Sequence, residues 1–136
     1  MDETIRKDVE PEIPQIIRRV GFDFRWSNPK VWKLKAPVSR MKLKTLEWHF
    51  DIPFLEWNGG AYNLKPGAVL HNPKKYAVEW NRTMRADLKH PVDIMRNKGR
   101  WLVLDGLHRL MKLYAQGETT VRVRKIPRSM VPRIVK

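Results

Sequence analysis

The sharpest change in hydrophobic pattern along the chain lies between residues 101 and 117. An unbroken apolar run, Trp101–Leu104, ends at Asp105-Gly106, and apolar residues then recur at helical spacing as Leu107, Leu110, Met111 and Tyr114. This pattern predicts a buried strand that leads directly into an amphipathic helix. Gly117 stands where a helix commonly ends, and Thr119–Lys125 alternates as a strand does, so the predicted unit is β–turn–α–β.

The residues before this unit predict a hairpin and a long helix. Pro91–Met95 and Arg100–Leu104 are expected to pair as strands around a turn at Asn97–Gly99. The longest predicted helix is Lys74–Lys89, preceded by a capping asparagine and a proline at its first position. The residues that mark its cap and its apolar stripe are Asn72, Pro73, Tyr76, Trp80, Met84 and Leu88.

The other segments predict shorter elements. In chain order they are a helical turn at Ile13–Val20, a short strand or extended segment at Val20–Trp26, a turn at Ser27–Pro29, one or two strands within Val31–Leu43, a helix at Leu46–Phe50 capped by Thr45, a tight turn at Asn58–Gly60 between two short strands, a turn at Leu64–Gly67 and an extended surface segment at Pro127–Lys136. Together these elements predict an α+β fold with a small mixed β-sheet and flanking helices. We expect one domain over residues 21–136, preceded by an acidic, extended arm at residues 1–20.

The net charge of the chain indicates the kind of partner that the protein attracts. It is +14, and residues 1–12 hold five of the 14 acidic residues, so the rest of the chain is still more basic. Such a surface attracts polyanions, and we therefore expect a nucleotide and a nucleic acid as partners. The alternative is that the basic side chains are merely solvated, as they are in many small basic proteins.

Composition also excludes or disfavours several classes of protein. There is no cysteine, which excludes disulfides, thiolate catalysis and cysteine-based zinc sites. No apolar run approaches the roughly 18 residues that a membrane-spanning helix needs. The N-terminal residues lack the apolar core of a signal peptide. We expect no membrane partner and a cytoplasmic location.

The junction between the predicted strand and helix is the strongest candidate site. A helix N-terminus presents unpaired backbone N–H groups and the positive end of the helix dipole, which favour an anion. His108 and Arg109 add side-chain donors there, and Asp105 can orient a metal ion or act as a base. Alternatively, Asp105 caps the helix and His108 is a polar residue with satisfied hydrogen bonds. His90 and Asp87 can lie near the same cleft or can be ordinary helix-end residues.

Two other groups of residues are weaker candidates. Glu47 and Asp51 share a face of a predicted helix that also carries His49, and the pair can bind a metal, act as a base or form a solvated edge. The predicted long helix has a basic face that suits a phosphate backbone but is also typical of a solvated surface. That face comprises Lys74, Lys75, Arg82, Arg85 and Lys89, of which Arg82, Arg85 and Lys89 are the predicted nucleic-acid contacts.

A resemblance to a known family is carried by residues 90–126. Val103-Leu-Asp105-Gly-Leu-His-Arg109, set between the strand after Pro91 and the Val-rich strand after Gly117, resembles the ParB/sulfiredoxin superfamily. The resemblance implies the family's fold, with Gly106, His108 and Arg109 holding nucleotide phosphates. It implies ATP, ADP or another nucleotide with Mg²⁺, with Asp105 as a metal-orienting or catalytic residue beside His108. In kinase-like relatives a carboxylate follows the early strands, and here Glu47 is the candidate for that acid or base.

Two departures from the family pattern refine this expectation. Sulfiredoxin-like members have a cysteine after the glycine of the motif, where this chain has Leu107, so sulfinic-acid reduction is excluded. Partition proteins add a helix-turn-helix region and a dimerisation domain after this one, and we expect neither here. The sequence therefore predicts a stand-alone domain of the superfamily.

Three functions remain open at this point. The first, which the sequence favours, is a nucleotide-dependent enzyme that transfers or hydrolyses a phosphoryl group on a nucleotide or on DNA. The second is a nucleic-acid-binding module without chemistry, and a nuclease-like DNA-binding protein lies between these two. The third is a protein-interaction protein that keeps the fold as a scaffold and uses exposed tryptophans as anchors.

Overall fold

The computed structural model describes residues 12–136, which form a four-stranded sheet with helices on both faces. The strands are β1 (Val38–Lys42), β2 (Val92–Asn97), β3 (Arg100–Asp105) and β4 (Thr120–Lys125), in the spatial order β1-β4-β2-β3. β4 runs parallel to β2, whereas the β1–β4 and β2–β3 pairs are antiparallel. The sheet is therefore small and mixed, and the predicted α+β class is confirmed.

Short helices connect and cover the strands. They are α1 (Gln15–Arg19), α2 (Asn28–Trp32), a 3₁₀ helix (Leu43–Asp51), α3 (Pro66–His71), α4 (Ala77–Arg85), α5 (Leu107–Ala115), a 3₁₀ turn (Arg128–Met130) and α6 (Val131–Ile134). Within residues 12–136 no helix has the length and apolar character needed to cross a lipid bilayer.

The β2–β3 hairpin and the β3–α5–β4 unit have the architecture that the sequence predicts. Lys98 and Gly99 both adopt positive φ, +51° and +79°, as a two-residue hairpin turn requires. β3 ends at Asp105, α5 begins at Leu107, and Gly106 alone separates them. Gly117, with φ +78°, follows the last turn of α5 and reverses the chain towards β4.

Strand β2, inside the sheet, and the edge strand β3 both contribute side chains to hydrophobic clusters on the two faces of the sheet. In β2, Ile94 packs into the cluster beneath α4 and α5, whereas its neighbour Met95 packs into a second cluster with α2 and α6. The same alternation places Val103 and Leu104 of β3 in these two clusters. This double burial explains why β3 reads as a continuous apolar run, and it holds the β3–α5 turn rigidly at one end of the sheet.

Several predicted elements at the two ends of the chain were wrong. Val20–Trp26, predicted as a short strand or an extended segment, forms no regular strand: it has a single bridge, between Trp26 and Val135, and its aromatic side chains enter local clusters. Ser27–Pro29 is the start of α2, whose backbone N–H at Lys30 donates to the Ser27 side chain. Pro127–Lys136 is not an extended surface segment, since Ile134 of α6 is completely buried.

Other predicted elements are present with different boundaries or a different helix type. The predicted helix Lys74–Lys89 is reduced to Ala77–Arg85, and within Val31–Leu43 the only strand is Val38–Lys42. The helix expected at Leu46–Phe50 is a longer 3₁₀ helix that begins at Leu43 without a side-chain cap. The turn expected at Leu64–Gly67 contains the start of α3 at Pro66, while the turn at Asn58–Gly60 does join a bridged pair, Leu55 and Leu64.

The predicted arm at residues 1–20 lies mostly outside the described residues. Of its described part, Gln15–Arg19 is helical, and Ile17 is buried against Phe22 and Leu102. This packing makes the segment just before residue 21 part of the wall of the pocket described below.

Candidate functional site

A pocket of about 370 Å³ opens at the β3–α5 turn. Its polar side is formed by residues of the turn and of the first turn of α5, Asp105, Gly106, His108 and Arg109. The other lining residues are largely apolar and aromatic and include Ile13, Ile17, Phe22, Phe54 and Tyr62. The structure therefore brings the predicted turn residues together at one concave surface.

Gly106 is required by the geometry of the turn. Its φ of +110° is strained for any L side chain, and a Cβ here would lie 3.1 Å from Cγ2 of Val92 and 3.2 Å from Cζ of Arg109. As the N-cap of α5 it offers no side chain to the first backbone N–H groups of the helix. The N-terminus of α5 therefore keeps the unpaired donors that helix ends present.

Asp105 does not cap α5 but takes part in a side-chain network. Its Oδ2 accepts hydrogen bonds from Nε1 of Trp32 at 2.7 Å and from a guanidinium nitrogen of Arg109 at 3.0 Å. The other terminal nitrogen of Arg109 donates to the carbonyl of Pro91. The arginine thus joins β3, α5 and the residue before β2, and two of its five N–H groups are already used.

His108 is paired with a buried carboxylate that sequence reasoning missed. Its Nε2 lies 2.7 Å from Oε2 of Glu79, and the side chain of His108 keeps 32% of its surface exposed while that of Glu79 keeps 4%. The other Glu79 oxygen accepts from Arg82 at 2.9 Å. Glu79 was missed because a charged residue directly before Trp80 looks solvent-exposed in the sequence, and its burial depends on contact with His108 of α5, 29 positions later.

His90 and Asp87 also line this pocket, in agreement with one of the two predictions for them, that they lie near the cleft at the turn. Nε2 of His90 lies 3.8 Å from Oδ2 of Asp87, and both side chains are exposed. The backbone N–H of Lys89 donates to Oδ1 of Asp87 and is the main cause that lowers the pKa of this carboxyl group below its usual value. These residues place an additional imidazole and carboxylate at the rim.

Glu47 lies elsewhere. Together with Asp51 it borders a different shallow pocket beside His71 of α3. Because a 3₁₀ helix has three residues per turn, Glu47 and Asp51 point about 120° apart, in contrast to the closer alignment in an α-helix. The structure does not bring Glu47 to the turn of Asp105.

His49, between these carboxylates, points into the core. Its Nδ1–H donates to the carbonyl of Leu46 at 2.7 Å, and its Nε2 accepts the backbone N–H of Val103 at 3.0 Å. These partners require the neutral ring. Burial, aided by the charge of Arg100 and opposed by the bond to Leu46, lowers the pKa of His49 from 6.5 to about 4.

The predicted basic track does not lie on one helical face. Arg82 is held by Glu79 at 2.9 Å and lies 3.6 Å from the carboxylate of Glu56. Arg85 is exposed at the last position of α4, and Lys89 lies beyond the helix and is also exposed. The three residues thus differ in their surroundings, and Arg82 is committed to local ion pairs.

A second carboxylate lies near Asp105, the predicted metal-orienting residue. Asp93 faces Asp105 in the register of β2 and β3 and accepts from Arg124 at 2.6 Å, so each of the two carboxylates is already paired with an arginine. Mg²⁺ prefers an octahedral shell of oxygens, with one or two free carboxylates besides phosphates and water. In the described part of the chain, no group of three or more histidine, aspartate or glutamate side chains is placed to hold a metal ion.

No family model, curated protein or solved structure matches this chain. The resemblance to the ParB/sulfiredoxin superfamily therefore rests on the residues of the turn and on the order of the surrounding elements.

Proposed function

We propose that the chain is a nucleotide-binding domain of the ParB/sulfiredoxin kind that transfers or hydrolyses a phosphoryl group on a nucleotide or a nucleic acid. The observation that carries the proposal is the placement of His108. It lies in the first turn of α5, beside a helix N-terminus without a capping side chain, and its imidazole is held by the buried Glu79. The proposal locates the protein in the cytoplasm, where nucleotides are available.

The pocket offers complementary surroundings for the two parts of a nucleotide. Open backbone N–H groups and the dipole of α5 favour a phosphate at the turn, and the overall charge of +14 attracts anions towards it. The aromatic lining of the same pocket, with Phe22, Phe54 and Tyr62, suits the flat base. An apolar surface with a few convergent polar groups is typical of small-molecule sites.

Each polar residue of the turn has a distinct role in this proposal. His108 donates a proton to, or accepts one from, the reacting phosphate or the attacking water. Glu79 is a positioning residue, because its carboxylate holds Nε2 and leaves Nδ1 as the nitrogen available for exchange. Arg109 adds positive charge while keeping its bond to Asp105, and Mg²⁺ would arrive with the phosphates.

The first test is a thermal-shift series with ATP, ADP, GTP and CTP, with and without Mg²⁺. We expect at least one nucleotide to raise the melting temperature of the wild type, as a ligand that binds the folded state does. His108→Gln should remove this shift, whereas His71→Gln, the same change at an exposed histidine in another pocket, should keep it. Arg109→Ala is less suitable as a probe, because it also breaks the bond to Pro91.

The outcomes separate binding from chemistry. Release of inorganic phosphate by the wild type but not by His108→Gln would support an enzyme. Binding without turnover would favour the module without chemistry. If no nucleotide shifts the melting temperature, or if His108→Gln shifts as much as the wild type, the proposed phosphate site is wrong.

A further inference from the structure

A second pocket, of about 670 Å³, adjoins the first. Asp105, Arg109 and His90 line both pockets, so the Asp105–Arg109 ion pair forms part of the wall between them. The apolar part of the second pocket includes Trp32 and Val38, whose surfaces are 59% and 52% exposed. Neither the resemblance nor the proposed phosphate site gives this pocket a role.

Trp32 presents a rigid, open aromatic face beside this pocket. The edge of its ring is fixed by the hydrogen bond from Nε1 to Asp105, and its neighbour Val31 is completely buried. Arg124 donates to the carbonyls of Val31 and Leu34, at 3.1 and 2.7 Å, which holds the end of α2 against the sheet. Among residues 12–136, no aromatic ring or cation is stacked on Trp32.

Trp57 provides a contrast on the same molecule. It is also exposed, at 40%, but its ring is in edge contact with Tyr76 and has Nζ of Lys75 at 5.4 Å from its centroid. The indole of Trp57 is therefore already engaged, whereas the indole of Trp32 is held only at its edge. An aromatic face of this kind stacks well on a nucleobase, since every base has a π-face.

The charge around Trp32 selects an anionic occupant. Residues 24–46 contain no acidic residue, and their exposed basic residues are Lys30, Lys33, Lys35, Arg40, Lys42 and Lys44. Inside the pocket, Asp93 and Asp105 are each neutralised by an arginine. An aromatic platform within a basic surface is the combination that binds single strands of nucleic acid.

We propose that the second pocket receives a base of a single-stranded nucleic acid, stacked on Trp32, while a neighbouring phosphate of the same strand lies at the β3–α5 turn. This rests on the proposed function and names its substrate as a polynucleotide strand. A single strand is the fitting partner because its bases are free to stack on a side chain, whereas the bases of a duplex stack on one another.

The experiment is a fluorescence-anisotropy titration with labelled oligothymidylate about 12 nucleotides long, a length within the usual range of single-strand sites. We expect Trp32→Ala to weaken binding on the order of tenfold, as loss of one stacked base does. Trp32→Phe should retain most of the affinity, because the ring remains without the hydrogen bond to Asp105. Trp57→Ala, the matched control, should bind as the wild type does.

Intrinsic fluorescence gives an independent readout. Stacking of thymine on Trp32 should quench the tryptophan emission of the wild type, and Trp32→Phe should lose this quenching while it still binds. Equal affinity of wild type and folded Trp32→Ala would overturn the proposal. So would an equal loss in Trp57→Ala, or a duplex of the same sequence that binds as tightly and responds equally to Trp32→Ala.

The two proposals can fail separately. If mononucleotides stabilise the protein through His108 but oligothymidylate binds no more tightly than they do, the strand-binding pocket is wrong and the nucleotide site remains. If oligothymidylate binds through Trp32 but His108→Gln changes neither nucleotide protection nor turnover, the strand-binding pocket remains and the proposed function is wrong. If Trp32→Ala binds the strand as tightly as the wild type does, the proposal is overturned, and the exposed apolar patch would instead suit a protein partner.

Discussion

The β3–α5 turn and the 3₁₀ helix Leu43–Asp51 each carry a histidine and at least one acidic residue within a short stretch, yet these side chains have different surroundings in the two regions. At the turn, Asp105 and His108 line one pocket, and Glu79 reaches His108 from another helix. In the 3₁₀ helix, His49 points into the core while the carboxylates remain at the surface. Similar residue types thus form a polar pocket in one region, whereas in the other the histidine forms buried hydrogen bonds that hold the 3₁₀ helix to β3.

The difference lies in what the histidine contacts. His108 has a carboxylate partner and a partly exposed ring, so one nitrogen is oriented while the ring stays accessible. Both ring nitrogens of His49 bond to backbone groups, one of them the otherwise unpaired N–H of the edge strand β3. A histidine used in this way stabilises the fold and is not available for proton transfer.

The largest loss of stability is expected from Gly106→Ala, at the β3–α5 turn. Positive φ and contact of the new Cβ with Val92 and Arg109 together should lower the free energy of unfolding on the order of 4 kcal/mol. Gly117→Ala is the matched control, because its φ is also positive but a Cβ there meets no atom within 4 Å, so about 1 kcal/mol is expected. Urea denaturation measures both, and equal losses would show that the close packing at Gly106 does not matter.

The pH dependence of stability tests the second region. The pKa of His49 is about 4 in the folded protein and near 6.5 when unfolded, so the unfolded state binds the extra proton between these values. The contribution of His49 is complete above pH 6.5, decreases as the pH falls towards 4, and amounts to about 3 kcal/mol. Urea denaturation at a series of pH values should show this decrease in the wild type and a smaller one in His49→Gln. Identical pH profiles would contradict the buried, neutral state of His49.

The smallest effect is expected from Glu47→Gln, which tests whether the 3₁₀ helix takes any part in nucleotide binding. Glu47→Gln should leave both stability and nucleotide-induced protection unchanged within error, because Glu47 borders a pocket that the turn residues do not line. Glu79→Gln should reduce protection, since it removes the carboxylate that holds His108. The same thermal-shift series measures both variants. Loss of protection in Glu47→Gln would return that residue to the candidate site.

The hairpin and the β3–α5–β4 unit were predictable because their signals are local. Glycines at positive φ mark the turns at Gly99, Gly106 and Gly117, and the change from continuous to helical apolar spacing marks the end of β3. The pocket residues Asp105, His108 and Arg109 follow from the same stretch, since consecutive residues at a strand-to-helix junction project around one end of the sheet. In this part of the chain, sequence order and spatial order coincide.

Other features depended on contacts between distant segments. Pro127–Lys136 has the prolines and arginines of a surface segment, but Ile134 is buried because α6 packs against α2, about a hundred positions earlier. Local spacing also could not distinguish a 3₁₀ helix from an α-helix at Leu43–Asp51, and the angle between Glu47 and Asp51 depends on that difference.

The amino-acid sequence by itself determined the β2–β3 hairpin, the strand-to-helix turn and the basic character of the surface, because each depends on backbone preferences or on charge that neighbouring residues carry together. The tertiary structure alone decided that Glu79 is buried behind His108, that His49 bonds to β3 and that Trp32 lies beside Asp105. These partners are 29, 54 and 73 positions apart, and such pairs form only when packing of the core brings their elements together.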